Sequence, residues 1–104
     1  MRYLSELATV IRSKNAGPFE LTMDIVFPDY ETYLQVKNTN VISEDKICKL
    51  YGITPEQLLR LVWFEAAHAV KITLLRNVSS GGKGERDTYG AQQSAPLLSL
   101  TFPL

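Results

Sequence analysis

Phe19-Glu20-Leu21-Thr22-Met23-Asp24-Ile25-Val26-Phe27 is the stretch on which the fold turns. Phe19, Leu21, Met23, Ile25 and Phe27 are apolar, while Glu20, Thr22 and Asp24 between them are polar. That period of two describes a strand with one buried face. Pro18 and Pro28 bracket it, as expected for a residue that cannot donate to a ladder and sits at strand ends.

Downstream, Asp29 is placed to cap a helix in which Tyr30, Tyr33 and Leu34 share one face and which fades near Asn38. Ser43 offers a second N-cap, with Glu44 and Asp45 in the first turn, an apolar stripe of Ile47, Leu50 and Tyr51, and Gly52 as the terminating residue. Thr54-Pro55-Glu56-Gln57 reads as a third start, with threonine as cap, proline at the first helical position and glutamine three residues after the cap.

Leu58 to Leu75 is apolar almost throughout and admits two readings. One is a helix running to Ala69; the other, preferred for its β-formers, is a short helix followed by strands around Val62-Trp63-Phe64 and Val70 to Leu74, with a turn at Ala66 to His68. A last strand is expected over Leu97 to Phe102, where Leu98, Leu100 and Phe102 alternate with Ser99 and Thr101. Residues 77–95 form a long polar loop holding four glycines, its first half repetitive and its second half, Asp87 to Gln93, rich in hydrogen-bonding groups.

The 104 residues suit one α+β domain spanning 1–104: a single-layer antiparallel sheet of three or four strands covered by two or three helices, a ferredoxin-like sandwich. The Phe19, Val70 and Leu97 strands would make the sheet, with Val62 at a possible edge. Eleven basic and eleven acidic side chains cancel, which removes the attraction behind most non-specific nucleic-acid binding. No apolar run approaches the roughly 20 residues of a membrane span. With Cys48 as the single thiol and no leader-like opening, the expected compartment is the cytoplasm.

Cofactor and metal chemistry find no fingerprint. Lys83 is followed by Gly84 and charged residues, unlike a phosphate-binding G-x-x-x-x-G-K-[ST] loop. His68 is the single histidine, so a zinc site or a Ser13 or Ser94 triad lacks partners at any recognised spacing. Glu65 and His68, three apart, would form an acid and base pair on a helical turn, although turn stabilisation explains them equally well.

The richest polar cluster is Arg12-Ser13-Lys14-Asn15-Ala16-Gly17-Pro18, read as a turn before the Phe19 strand. Turn chemistry accounts for Gly17 and Pro18. Arg12, Ser13, Lys14 and Asn15 add a guanidinium, a hydroxyl, an ammonium and an amide, donors suited to an anion or a carbonyl oxygen. Tyr89, Gln92 and Gln93 are the expected collaborators from the polar loop.

Leu4-Ser5-Glu6-Leu7-Ala8, Ile11 to Pro18 and Tyr89-Gly90-Ala91-Gln92-Gln93 together resemble a small family of domains of unknown function, over nearly the whole chain. That family accompanies, or is fused to, acyclic-terpene-utilisation-type proteins, whose carboxy-terminal ferredoxin-like domain opens with a similar L-x-x-L-A segment and R-S turn. The resemblance implies a compact α+β domain working beside a larger subunit of that type, in metabolism of small carboxylic acids or their thioesters.

Two functional expectations follow. The first is the small subunit of a heteromeric enzyme, a hydratase or lyase acting on an organic acid, in which Arg12 or Lys14 binds a carboxylate, Asn15 and backbone N–H groups hold a carbonyl oxygen, and Gln92 and Gln93 complete the pocket. The second is a non-catalytic interaction or homo-oligomerisation module, because Tyr3, Tyr30, Tyr33, Tyr51 and Trp63 exceed what one small core can hold.

Overall fold

The strand at the centre of the sequence is also central in space. In a computed structural model that describes residues 1–15, 19–75 and 94–104, β3 (Glu20–Val26) lies between β2 (Val10–Asn15) and β5 (Ala69–Leu75). β4 (Leu58–Phe64) flanks β5, giving a four-stranded antiparallel sheet in the order β2-β3-β5-β4. A separate two-stranded ribbon pairs β1 (Arg2–Tyr3) with β6 (Thr101–Phe102).

Pairing of Met23 with Ile72 and of Ile25 with Val70 puts one apolar set on a common face. Leu21, Met23 and Ile25 from β3 and Val70, Ile72 and Leu74 from β5 are all buried there. Leu58, Leu61 and Trp63 pack against the same cluster from β4. The covering layer comprises α1 (Leu4–Leu7), α2 (Tyr30–Thr39) and α3 (Glu44–Tyr51), which contribute Leu4, Leu7, Tyr33, Val36 and Ile47 to the core. The architecture is α+β and agrees with a ferredoxin-like sandwich.

Local chemistry sets the helix ends. Asp29 accepts the Thr32 N–H at 2.8 Å and Ser43 accepts the Lys46 N–H at 3.2 Å, so each helix has one of its free donors satisfied. Gly52 ends α3 with φ of 65°, a left-handed conformation that costs glycine nothing. Thr54 to Gln57 keep their capping box, but the helix is one 3-10 turn, Pro55–Gln57, before β4 begins. Strands therefore win over a continuous helix across 58–75, and the turn between them closes on His68, at φ 51°. The His68 carbonyl accepts the Phe27 N–H at 2.8 Å and ties that turn to the end of β3.

Four expectations need correction. Arg12, Ser13, Lys14 and Asn15 are not a loop: they form the outer half of β2, in register from Arg12↔Asp24 to Asn15↔Leu21. Hydrogen bonding to β3 overrides their weak intrinsic strand preference. Leu97 to Phe102 is not one strand either, because Ala95–Ser99 is a 3-10 turn opened by Pro96, and only Thr101–Phe102 is extended. Leu97 and Phe102 are nonetheless fully buried, so the apolar residues serve the core from a different backbone. Nor does this segment join the main sheet, where β2 is a member instead and β6 pairs with β1. In α2 it is Tyr33 and Val36 that are buried, while Tyr30 and Leu34 remain exposed at 43% and 36%.

Ile72, 0% exposed at the centre of the sheet, is the sharpest test of this core. Ile72→Ala should lower unfolding free energy by about 2–5 kcal/mol in a urea melt, against a change within about 0.5 kcal/mol for the exposed Leu98→Ala. The Asp29 carboxyl offers a second test. Its bond to Thr32 holds it below the usual carboxylate range, so its stabilisation is complete above the unfolded value of about 3.9 and disappears as pH falls through the lower folded value. Asp29→Asn keeps a capping oxygen without the titration, and should show a flatter fall of Tm than the wild type over that acid window.

Candidate functional site

With the helices on one side, the other side of the four-stranded sheet is uncovered by any described element. Its side chains fall into cross-strand rows fixed by the register. One row is Val10, Val26, Ala69 and Phe64; the next is Arg12, Asp24, Lys71 and Val62; the third is Lys14, Thr22, Thr73 and Arg60. An apolar end thus grades into a cationic one.

The third row forms a shallow trough of about 460 Å³ lined by Lys14, Glu20, Thr22, Leu59, Arg60, Lys71 and Thr73. Its floor is the pair of short hydroxyl side chains in the central strands, with Thr22 Oγ1 and Thr73 Oγ1 hydrogen-bonded at 3.3 Å. The edge strands supply the long cations that wall it. Among the described residues, neither Lys14 nor Arg60 forms an ion pair. Asp24 is the counter-charge of the neighbouring row, 3.6 Å from Arg12 Nε and 4.0 Å from Lys71 Nζ.

Arg60 reaches this face in regular alternation with Val62 and Phe64, and an irregularity lies just before it. Leu58 pairs with Leu74 and Arg60 with Thr73, so Leu59 is an extra residue in β4. Strict alternation would send Leu58 and Arg60 to the same face, whereas the bulge leaves Leu58 against the core with both Leu59 and Arg60 outward. Leu59 is 48% exposed as a result.

The structure divides the Arg12 to Asn15 stretch between two faces. Arg12 and Lys14 stand on the open side, whereas Ser13 pairs with Met23 and Asn15 with Leu21, on the side of the core. They cannot converge on one ligand as the turn reading required. Ser13 Oγ is buried and has no hydrogen-bond partner among the described residues, beside a separate hollow of about 330 Å³ lined by Ile11, Arg12, Ser13, Ser94 and Leu98. Gly17, Tyr89, Gln92 and Gln93, with loop residues 77–93, lie outside the described residues.

Other candidate chemistry is accounted for by packing. His68 stacks at a tilt on Tyr30 and Tyr33, with ring centroids 6.3 and 6.4 Å away, and Trp63 meets Tyr33 edge-on at 5.6 Å. Glu65 hydrogen-bonds the Tyr30 hydroxyl, which pushes that phenol up, so this carboxylate serves the aromatic cluster. Desolvation, then the Asp45, Glu44 and Glu56 carboxylates, push the Cys48 thiol up. Burial pushes Tyr51 up strongly, and its hydroxyl lies 3.0 Å from Met23 Sδ. Among the described residues there is no cluster of His, Cys, Asp and Glu able to hold a metal ion, and no helix is long and apolar enough to cross a membrane.

Lys14 was legible in the sequence as a candidate; Thr22, Arg60, Lys71 and Thr73 were not. The polar positions of the Phe19 stretch pointed to Thr22, but its partners depend on strand order and register. The fold and face define a small α+β domain with one basic sheet surface that no described element covers. The chain belongs to the family described as DUF4387, a domain of unknown function, whose model matches residues 4–101. No curated protein and no solved structure matches it.

A thiol held protonated should react slowly. Native Cys48 is expected to be modified by an aromatic disulfide reagent at neutral pH more slowly than the urea-unfolded chain, followed by absorbance. Equal rates in the two states would show that its surroundings do not protect it.

Proposed function

We propose that this chain is a small accessory subunit of a heteromeric metabolic enzyme and that it presents a carboxylate-binding surface on its open sheet face. The observation that carries the reading is the trough in which Lys14, Arg60 and Lys71 surround the Thr22–Thr73 hydroxyl pair. Cations with hydroxyl donors between them recognise anions by charge-assisted hydrogen bonds, and a low-dielectric sheet floor strengthens them. The site has no histidine, and its one lining carboxylate, Glu20, has no described basic partner group for acid and base work. It binds and orients; the larger subunit supplies the reacting groups.

The partner suggested by the sequence resemblance is a larger protein of the acyclic-terpene-utilisation type, and the corresponding reaction is a hydration or lyase step on a small organic acid or its thioester. Lys14 and Arg60 take the role first assigned to Arg12 and Lys14, because Arg12 is engaged with Asp24. A single protonated thiol suits the reducing cytoplasm.

A second reading, a non-catalytic interaction or homo-oligomerisation module, is favoured by the apolar row on the same face. Val10 and Phe64 are 37% and 42% exposed at its two ends. An uncovered sheet with an apolar strip is a surface suited to association.

Co-expression with the larger subunit and assay of the pair against organic acids separates the two. On the enzyme reading, the double variant Lys14→Ala/Arg60→Ala keeps the complex on size-exclusion chromatography but loses at least about tenfold in kcat/KM, the loss of one good charged contact or more. On the module reading, Phe64→Glu abolishes association while the double variant leaves any activity of the pair unchanged. Absence of a complex at micromolar concentration would overturn the accessory-subunit proposal.

A further inference from the structure

We infer that the trough is selective for a short dicarboxylate, gripped at one end by Lys14 and at the other by Arg60 across the Thr22–Thr73 floor. The inference rests on the carboxylate-binding reading above and adds the class of ligand.

Spacing is the first argument. Lys14, Thr22, Thr73 and Arg60 are consecutive partners across four strands. Three inter-strand steps of about 4.8 Å place the Lys14 and Arg60 Cα atoms roughly 14 Å apart. Each side chain reaches about 6 Å, so the two heads, rising from the sheet as they lean part-way inward, stand at either end of the threonine pair rather than meeting over it. A single carboxylate occupies one end of such a trough. Two carboxylates separated by a short methylene chain occupy both, and the chain between them lies over the threonine methyl groups.

The second argument is the pattern of charge along the trough's long sides. Lys71 lies on one side, with Asp24 as its weak 4.0 Å partner. Glu20 lies on the other, in the row it shares with Leu75. A third carboxylate directed to that side would meet Glu20, so the arrangement disfavours tricarboxylates by like-charge repulsion. Phosphate, a compact anion, satisfies one end only.

The third argument is the register position of Arg60 on β4. An edge strand needs charge to discourage pairing with another chain, and Lys14 alone on β2 or Arg60 alone on β4 would answer that need. Edge protection does not require the two cations to share one row with a hydroxyl pair. The register counted back from the hairpin places Arg60 in that row opposite Thr73, and the extra residue at 59 lets it stand there with Leu58 still in the core.

The test is calorimetric titration of the whole chain with glutarate, butyrate and citrate at matched ionic strength, beside Lys14→Gln, Arg60→Gln and the helix-layer control Lys46→Gln. Glutarate should bind at least about tenfold more tightly than butyrate, a difference of about 1.4 kcal/mol. Citrate should bind less tightly than glutarate, and Glu20→Gln should narrow that gap. Lys14→Gln and Arg60→Gln should each bring glutarate down to the butyrate level, with unchanged circular dichroism and Tm, while Lys46→Gln behaves as wild type. Equal binding of glutarate and butyrate would overturn the dicarboxylate inference and leave the carboxylate-binding reading standing. A glutarate preference that survives both end variants would also overturn it, by showing that the grip lies elsewhere. No binding of any of the three acids would overturn both.

Discussion

Seven consecutive residue pairs join β3 to β5, from Glu20↔Leu75 to Val26↔Ala69, and this uninterrupted ladder sets every other relation in the domain. Side chains alternate along a strand, so a single register assigns Met23 and Ile72 to the core and Thr22 and Thr73 to the open face in the same stroke. A slip of β3 by one residue would turn Thr22 and Asp24 toward the core and expose Leu21, Met23 and Ile25. The helices pack where they do because the ladder offers them one apolar surface. The trough has a floor because the same ladder places two threonines side by side on the other.

Legibility in the sequence follows the range of the interaction responsible. Asp29, Ser43 and Gly52 mark helix ends through contacts a few residues away, and these were readable directly. The β3 strand was readable for a similar reason, since its alternation is internal to nine residues. Arg12 to Asn15 failed because their strand conformation comes from pairing with β3, and nothing in their own composition favours it over a turn. Leu97 to Phe102 failed in the opposite way. The alternation was present, but Pro96 and the need to bury Leu97, Leu100 and Phe102 are met by a tight turn and a two-residue strand.

The candidate site shows the same division. Lys14 was singled out as one of a run of donors adjacent in sequence; its partners proved to be opposite in space, on three other strands. Adjacent residues of a strand point to opposite faces, so a contiguous polar run is poorly suited to surrounding a ligand, whereas a cross-strand row is well suited. Ser13 illustrates the cost of being next to Lys14: its hydroxyl is turned to the core side and lacks a partner among the described residues.

Leu59 has a consequence at the level of the gene. The hairpin holds Leu61 and Trp63 inward whatever happens upstream, and Leu58 already sits opposite Leu74, so loss of one codon at position 59 would close the bulge and leave strict alternation from Leu58 to Phe64. Leu58 would stay in the core, and the open face would lose only Leu59. The composition of the open face is therefore exposed to insertion and deletion, as well as to substitution, at a single edge-strand position, while the ladder beneath it is insulated from both.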